Sequence, residues 1–264
     1  MQEKFCLIEI LKSDDPVYLL EIADSIDILN DHLPELIALK GVETIDGVSH
    51  KDNYIHTLQV LKNTCMVSQD PYLRLVALLH DIGKAPTKKF ENGKWSFTNH
   101  ELVGTYMLKN IFERNELDLT HFEYVKKIIQ YHGIIKELTK PEVTDSAIRR
   151  MCTDLGYMYN DAILFCKCDS TTSKPWKKEL HMNDLSKLKD RAELILKNDK
   201  EKAYRPPIDA HDIMAMFPDK PAGKWLTESK DAIVFAIKNG VINENREEAL
   251  DFVKNFINNK YSWI

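Results

Sequence analysis

An all-α fold is what this sequence predicts: a helical bundle with one small β-hairpin and a helical C-terminal extension. Three observations carry that expectation. Apolar residues recur at helical spacing through most of the 264 residues, the chain holds only nine glycines and no repeat or Gly/Ser linker, and a single stretch, Lys89 to Phe97, alternates in the manner of strands.

Taken in order, Ile22, Ile26 and Leu29 fall at helical spacing, and Leu33 to Leu39 forms a second short apolar-faced segment that stops at Gly41. A polar loop, Thr44 to Asp52, leads into a helix at about Asn53 to Ser68, with Ile55, Leu58, Leu61 and Cys65 on one stripe and His56 at its edge. Leu73 to Ile82 is too apolar for a surface helix, and Gly83 supplies its end. Within Lys89 to Phe97, Asn92-Gly93 joins two short runs as a type I′ hairpin. Thr98-Asn99-His100-Glu101 has the Thr-x-x-Glu pattern of a capping box, which starts a helix with His100 in its first turn.

Further helices are expected at about Leu119 to Tyr131, ending at His132-Gly133, then at Asp145 to Leu155 and Tyr157 to Asp169. Beyond these come Asp184 to Asn198, a break at Arg205-Pro206-Pro207, Glu228 to Asn239, and Arg246 to Asn258. The domains expected are an N-terminal helical segment over 1–48, a central domain over 49–172 and the C-terminal extension over 173–264.

A net charge of −5 argues against a chain coated with nucleic-acid-binding surface, although Lys84, Lys88, Lys89 and Lys94 stand against one Glu91 in a local basic patch. The five cysteines, Cys6, Cys65, Cys152, Cys166 and Cys168, are odd in number and form no C-x-x-C pair. They read as buried thiols of a reducing compartment, which argues against zinc-finger chemistry. Met1 to Glu9 holds a four-residue apolar run with acids on either side, too short for a signal-peptide core or a membrane span. A cytoplasmic chain with no membrane partner is expected.

The chemistry centres on His80-Asp81. A buried histidine beside a buried carboxylate is costly unless each has a partner. Alone, such a doublet is more often a hydrogen-bonded core pair than a metal site. The balance changes because His56, His100, His132 and Asp169 also fall at edges or ends of apolar helices, and converging helices are how bundles build metal sites. Four imidazoles and two carboxylates without thiolate suit Mn, Fe, Ni, Co or Zn better than Mg. One arrangement puts His56, His80, Asp81 and Asp169 on a first ion, with Asp81 bridging to a second ion held by His100 and His132. A single ion, with His100 as a phosphate donor and His132 as a C-terminal structural histidine, is the alternative. His32, His121 and His181 read as surface residues, and His211-Asp212 as part of a helix start.

The set His56, His80-Asp81 and Asp169 resembles the H…HD…D pattern of the HD-domain metal-dependent phosphohydrolases. Ser49 to Leu61, His80-Asp81-Ile82-Gly83-Lys84 and His100-Glu101-Leu102-Val103-Gly104 are similar to the HD region of bacterial CCA-adding tRNA nucleotidyltransferases. Pro206 to Ala215 and Asn245 to Ala249 are similar to that family's C-terminal part, and the resemblance implies that residues 1–48 are neck-like. The family's catalytic head carries a Gly-rich turn and a D-x-D metal pair. This chain has neither Gly-Gly nor D-x-D. Nucleotide addition is therefore not expected of it, unless a separate nucleotidyltransferase subunit supplies the head.

The resemblance implies a divalent-metal-dependent phosphatase or phosphodiesterase acting on a phosphomonoester or 2′,3′-cyclic phosphodiester of a nucleotide or RNA 3′-end. Asp81, Lys84 and His100 are the candidate catalytic residues; Lys84, Lys88, Arg149 and Arg150 are the candidate substrate-binding ones. Two alternatives stand beside this reading: a hydrolase of free mono- or dinucleotides, and a tRNA-binding module whose metal site is not catalytic.

Overall fold

The computed structural model describes residues 5–261, so the first four residues of the expected N-terminal segment and residues 262–264 of the expected C-terminal extension lie outside the described residues. The fold is all-α. In chain order the helices are α1 (Leu7–Lys12), α2 (Pro16–Ser25), α3 (Ile28–His32), α4 (Pro34–Ile37), α5 (Asn53–Cys65), α6 (Pro71–Leu79), α7 (Lys84–Thr87), α8 (His100–Arg114), α9 (Phe122–Leu138), α10 (Asp145–Leu155), α11 (Tyr159–Cys168), α12 (Pro175–Ala203), α13 (Ala210–Met216), α14 (Lys224–Lys238) and α15 (Arg246–Lys260). Among the described residues no helix is long and apolar enough to cross a membrane.

Two compact units form, Met1–Leu196 and Lys197–Ile264. The first has one continuous core, in which Leu7, Leu11, Leu20 and Leu29 join residues of the central helices, and Leu185, Leu188, Ala192 and Ile195 of α12 complete it. Packing thus joins residues 5–48 to the middle of the chain and carries the unit past residue 172. The second unit has its own core around Ile208, Ile213, Trp225, Ile233, Val253 and Ile257. There Asp209 and Asp212 form a reciprocal capping box at α13 and Arg246 pairs with Asp212, so His211-Asp212 is a helix start.

The centre of the first unit is α6, packed against α1, α5, α9 and α11. Asp70 caps it by accepting from the Tyr72 and Leu73 amides, Pro71 takes the first helical position, and Leu75 to Leu79 are fully buried. Arg74 breaks this apolar run yet is also buried. Its guanidinium donates to the carbonyls of Leu11, Ser13 and Ser68 and to Gln69 Oε1 at 2.6–3.0 Å, tying α6 to the end of α1. Arg74→Ala leaves those acceptors unpaired in the core. It should cost about 3 kcal/mol, read as a melting temperature lower by roughly 6–12 °C.

Several local expectations need correction. The helix ends at Leu79, with His80 as its C-cap, and Gly83 has an ordinary φ of −69° at the N-cap of α7. Glycine is needed there for closeness instead: a Cβ on Gly83 would lie 2.0 Å from the His100 carbonyl oxygen and 2.6 Å from the Gly104 amide nitrogen. The Thr98 capping box does not form, because Asn99 is the N-cap in a left-handed conformation. Helix α9 runs through Gly133 to Leu138, since Ile128, Ile129, His132 and Ile135 continue one buried face. This places His132 inside the helix and removes the dipole-stabilised C-terminal role.

Ile55, Ile22 and Ile26 are exposed, while Tyr54, Leu58, Leu20 and Ala23 turn inward. The expected hairpin is present as β3 (Lys89–Glu91) and β4 (Lys94–Ser96), with positive φ at both Asn92 and Gly93. A second hairpin, β1 (Thr44–Ile45) and β2 (Val48–Ser49), turns at Asp46-Gly47 with the same signs of φ, so the polar loop carries the second of two hairpins. The Trp95 indole donates to the Val48 carbonyl and links them. Cys6 is exposed; Cys152, Cys166 and Cys168 are buried, and all five thiols are free.

Candidate metal centre

Six side chains from five places in the first unit come together: His56, Asp81, His100, His132 and Asp169 line one cavity of about 940 Å³, and His80 is fully buried against Asp81. His56 comes from the first turn of α5, His80 and Asp81 from the end of α6, His100 from the start of α8, His132 from the middle of α9 and Asp169 from the end of α11. His80, Asp81, His132 and Asp169 are buried, and His56 and His100 are nearly so.

Each imidazole is held by its Nδ1. The Nδ1 atoms of His80, His100 and His132 lie 2.9, 2.9 and 2.6 Å from the carbonyls of Ala77, Phe97 and Ile129, each three residues upstream. A carbonyl only accepts, so these Nδ1 atoms donate and leave Nε2 as the free ring nitrogen. His56 Nδ1 is 2.9 Å from Thr171 Oγ1.

The Nε2 atoms converge on two carboxylates. His56 Nε2 is 3.0 Å from Asp169 Oδ1 and 3.5 Å from Asp81 Oδ2, and His80 Nε2 is 3.2 Å from Asp81 Oδ2 and 3.5 Å from Asp169 Oδ1. On the other side His100 Nε2 is 3.4 Å from Asp81 Oδ1. His56, His80 and Asp81 offer ligand atoms close enough for one ion, and so do Asp81, His100 and His132. Asp81 belongs to both groups.

This donor set fits divalent cations. The Nε2 atoms of His80 and His100 are buried without a well-directed hydrogen bond, a cost that a coordinated ion removes. Electrostatics demand positive charge at the same place. Burial opposes ionisation of Asp81 and Asp169, yet His80 with His100 and Lys84 holds the first well below the usual carboxylate range, and His56, His80 and Lys136 hold the second there. Burial also opposes the His80 imidazolium, but Asp81 and Asp169 outweigh it and raise its pKa to about 9. Burial and the neighbouring His80 push His132 down to about 3, so its ring is neutral.

Lys84 lines the cavity, with Nζ 2.5 Å from Asp81 Oδ2. The other cationic candidates are not brought to it. Lys88 pairs with Glu43 beside Trp95, Arg150 extends along the exposed face of α10 toward Asp154, and Arg149 does not line the cavity. Charge alone marked them; Lys88, just past the end of α7, is drawn to Glu43, and the register of α10 turns Arg150 toward Asp154.

Residues that motif spacing did not single out are also present. Lys136 bonds Asp169 Oδ2, Thr171 orients His56, and His181 lines the cavity mouth, where its Nδ1 lies 3.3 Å from Ser170 Oγ. His181 is exposed but not remote from the site. His32 is half-buried against Phe5, and His121 stacks on Tyr72. The available signal for Lys136 was its position, one helical turn beyond His132.

Residues 53–172 match the HD domain family. The matched segment contains all six converging residues. The chain is 36% identical over 105 residues to the multifunctional CCA protein of Hahella chejuensis, covering 39% of this chain and 24% of that one. It is 33% identical over 84 residues to the protein of that name from Methylococcus capsulatus, covering 31% of this chain and 19% of the relative. Against the CC-adding tRNA nucleotidyltransferase of Thermus thermophilus it is 33% identical over 102 residues, 37% of this chain and 23% of the other. The chain thus spans about a quarter or less of these relatives.

Metal binding has a direct consequence for stability. A ligand at 100 times its dissociation constant stabilises the folded state by about 2.7 kcal/mol. Manganese or nickel should therefore raise the melting temperature, and chelation should return it. A melting curve that none of Mn, Ni, Co or Zn moves contradicts the assignment of this cavity as a cation site.

Proposed function

We propose that this chain is a divalent-metal-dependent phosphohydrolase, cleaving a phosphomonoester or 2′,3′-cyclic phosphodiester of a nucleotide or RNA end. The supporting observation is the set of anchored imidazoles whose Nε2 atoms turn toward two carboxylates in one open cavity. His56, His80, Asp81 and Asp169 would hold one ion, and His100 and His132 a second that shares Asp81. When bound, such ions supply Lewis acidity and an activated water.

The chain's own residues do the rest. The Nδ1 anchors fix ring orientation, so the ligand nitrogens are in place before any substrate arrives. Lys84, which lines the cavity beside Asp81, would neutralise the charge that grows on the phosphoryl oxygens. Asp81, Glu101, Glu137, Asp169 and Asp184 outnumber Lys51, Lys84 and Lys136 around the cavity. That wall alone repels a phosphate, and bound divalent cations reverse its sign, which makes metal a requirement of turnover.

The names of the relatives concern CCA or CC addition and tRNA, and on that ground an RNA 3′-end, including that of tRNA, is the macromolecular substrate we propose. The test is hydrolysis of bis-p-nitrophenyl phosphate, 2′,3′-cyclic AMP and nucleoside monophosphates with Mn, Ni, Co or Mg. Metal-dependent turnover of at least one ester is expected. Absence of turnover with every metal overturns the hydrolytic reading, and salt-sensitive tRNA binding alongside that absence favours a binding module.

A further inference from the structure

The two candidate ligand carboxylates are treated alike by the protein. Each offers oxygen to the imidazoles and each is also bonded by one lysine ammonium: Lys84 on Asp81 Oδ2, and Lys136 on Asp169 Oδ2. On Asp169 the division is clean, with Oδ1 facing His56 and His80 and Oδ2 taken by Lys136. Lys136 projects from α9 one turn beyond His132, and its side chain is half-exposed and lines the cavity. An ammonium has three donors, and the bond to Asp169 uses one. The remaining donors can serve an anion in the cavity.

We propose that Lys136 is a second phosphate-binding residue beside Lys84, and that the pair selects a dianionic phosphomonoester over a monoanionic phosphodiester. This rests on the hydrolytic reading above and narrows its substrate class. A phosphomonoester near neutral pH carries close to two negative charges on three free oxygens, whereas a diester carries one charge on two. Two ammonium groups, one on each carboxylate of the centre, can therefore each meet an oxygen of the monoester. The diester lacks the third oxygen, so one lysine loses its partner. A charge-assisted hydrogen bond of this kind is worth about a tenfold change in binding or turnover.

The test uses the full chain loaded with Mn and three proteins: wild type, Lys136→Met and Lys136→Arg. Inorganic phosphate binding is followed by calorimetry, bound Mn is counted, and kcat/KM is measured for p-nitrophenyl phosphate and bis-p-nitrophenyl phosphate. In Lys136→Met, phosphate affinity and the monoester/diester ratio of kcat/KM should each fall about tenfold, with the Mn count unchanged. Lys136→Arg should recover most of both. If Mn is lost from Lys136→Met, or both esters slow equally while phosphate affinity stays at the wild-type value, the lysine only supports Asp169 and the proposal fails. If the wild type hydrolyses neither ester, the hydrolytic reading fails. The phosphate titration still reports on Lys136, and equal affinity in wild type and Lys136→Met overturns its anion-binding role.

Discussion

Asp81→Ala should lower metal-dependent phosphohydrolase activity by about three orders of magnitude or more. Its carboxylate is the one group shared by the His56/His80 side and the His100/His132 side of the cavity, so its loss damages both. It also leaves Lys84 without its 2.5 Å partner and takes away a principal charge that raises the His80 pKa. His132→Ala touches one side only and should leave a measurable fraction of the activity. The check is kcat/KM for the two variants beside a far-ultraviolet spectrum that shows the fold is kept. Activity unchanged in Asp81→Ala removes this cavity from the chemistry.

Gly83→Ala should be the most damaging single-methyl change in the protein. The added carbon would stand 2.0 Å from the His100 carbonyl and 2.6 Å from the Gly104 amide, both backbone atoms that no side-chain rotation can move aside. Helices α7 and α8 must part, at a cost of roughly 3 kcal/mol, or about 6–12 °C in melting temperature. Because the displaced strand of contact carries His100, metal capacity should fall as well. A variant with the wild-type melting temperature and metal content would show that the approach of α7 to α8 does not hold the site.

Much of this architecture was legible as apolar faces. The run around Leu75 to Leu79 signalled a buried helix, and the ends of such helices located His56, His80-Asp81, His100 and Asp169, while His132 was marked by a helix end that the fold does not have; all six are brought together. What stayed hidden depended on neighbours. Whether a charged residue enters a cavity is decided by helix register and by the opposing element, so Lys136 reaches Asp169 while Lys88 turns to Glu43 and Arg150 to Asp154.

Gly83 and Gly133 looked like helix stops. One is instead a place of closest backbone approach, and the other lies within α9 against the Glu101 side chain. The Asp46-Gly47 turn carried the same signal as Asn92-Gly93. Its flanking strands are only two residues long and exposed, so alternation was too brief to register. Arg74 was concealed by its apolar neighbours, since a buried guanidinium is stable only where carbonyls from another segment happen to face it.

The central claim is that these residues form a cation site, and counting metal per chain tests it most directly. Purified protein equilibrated with Mn and freed of excess should carry two ions in the wild type, one in His132→Ala, and less than one in Asp81→Ala with its helices intact. A wild type that retains no ion, or an Asp81→Ala protein that retains the wild-type number, contradicts the account.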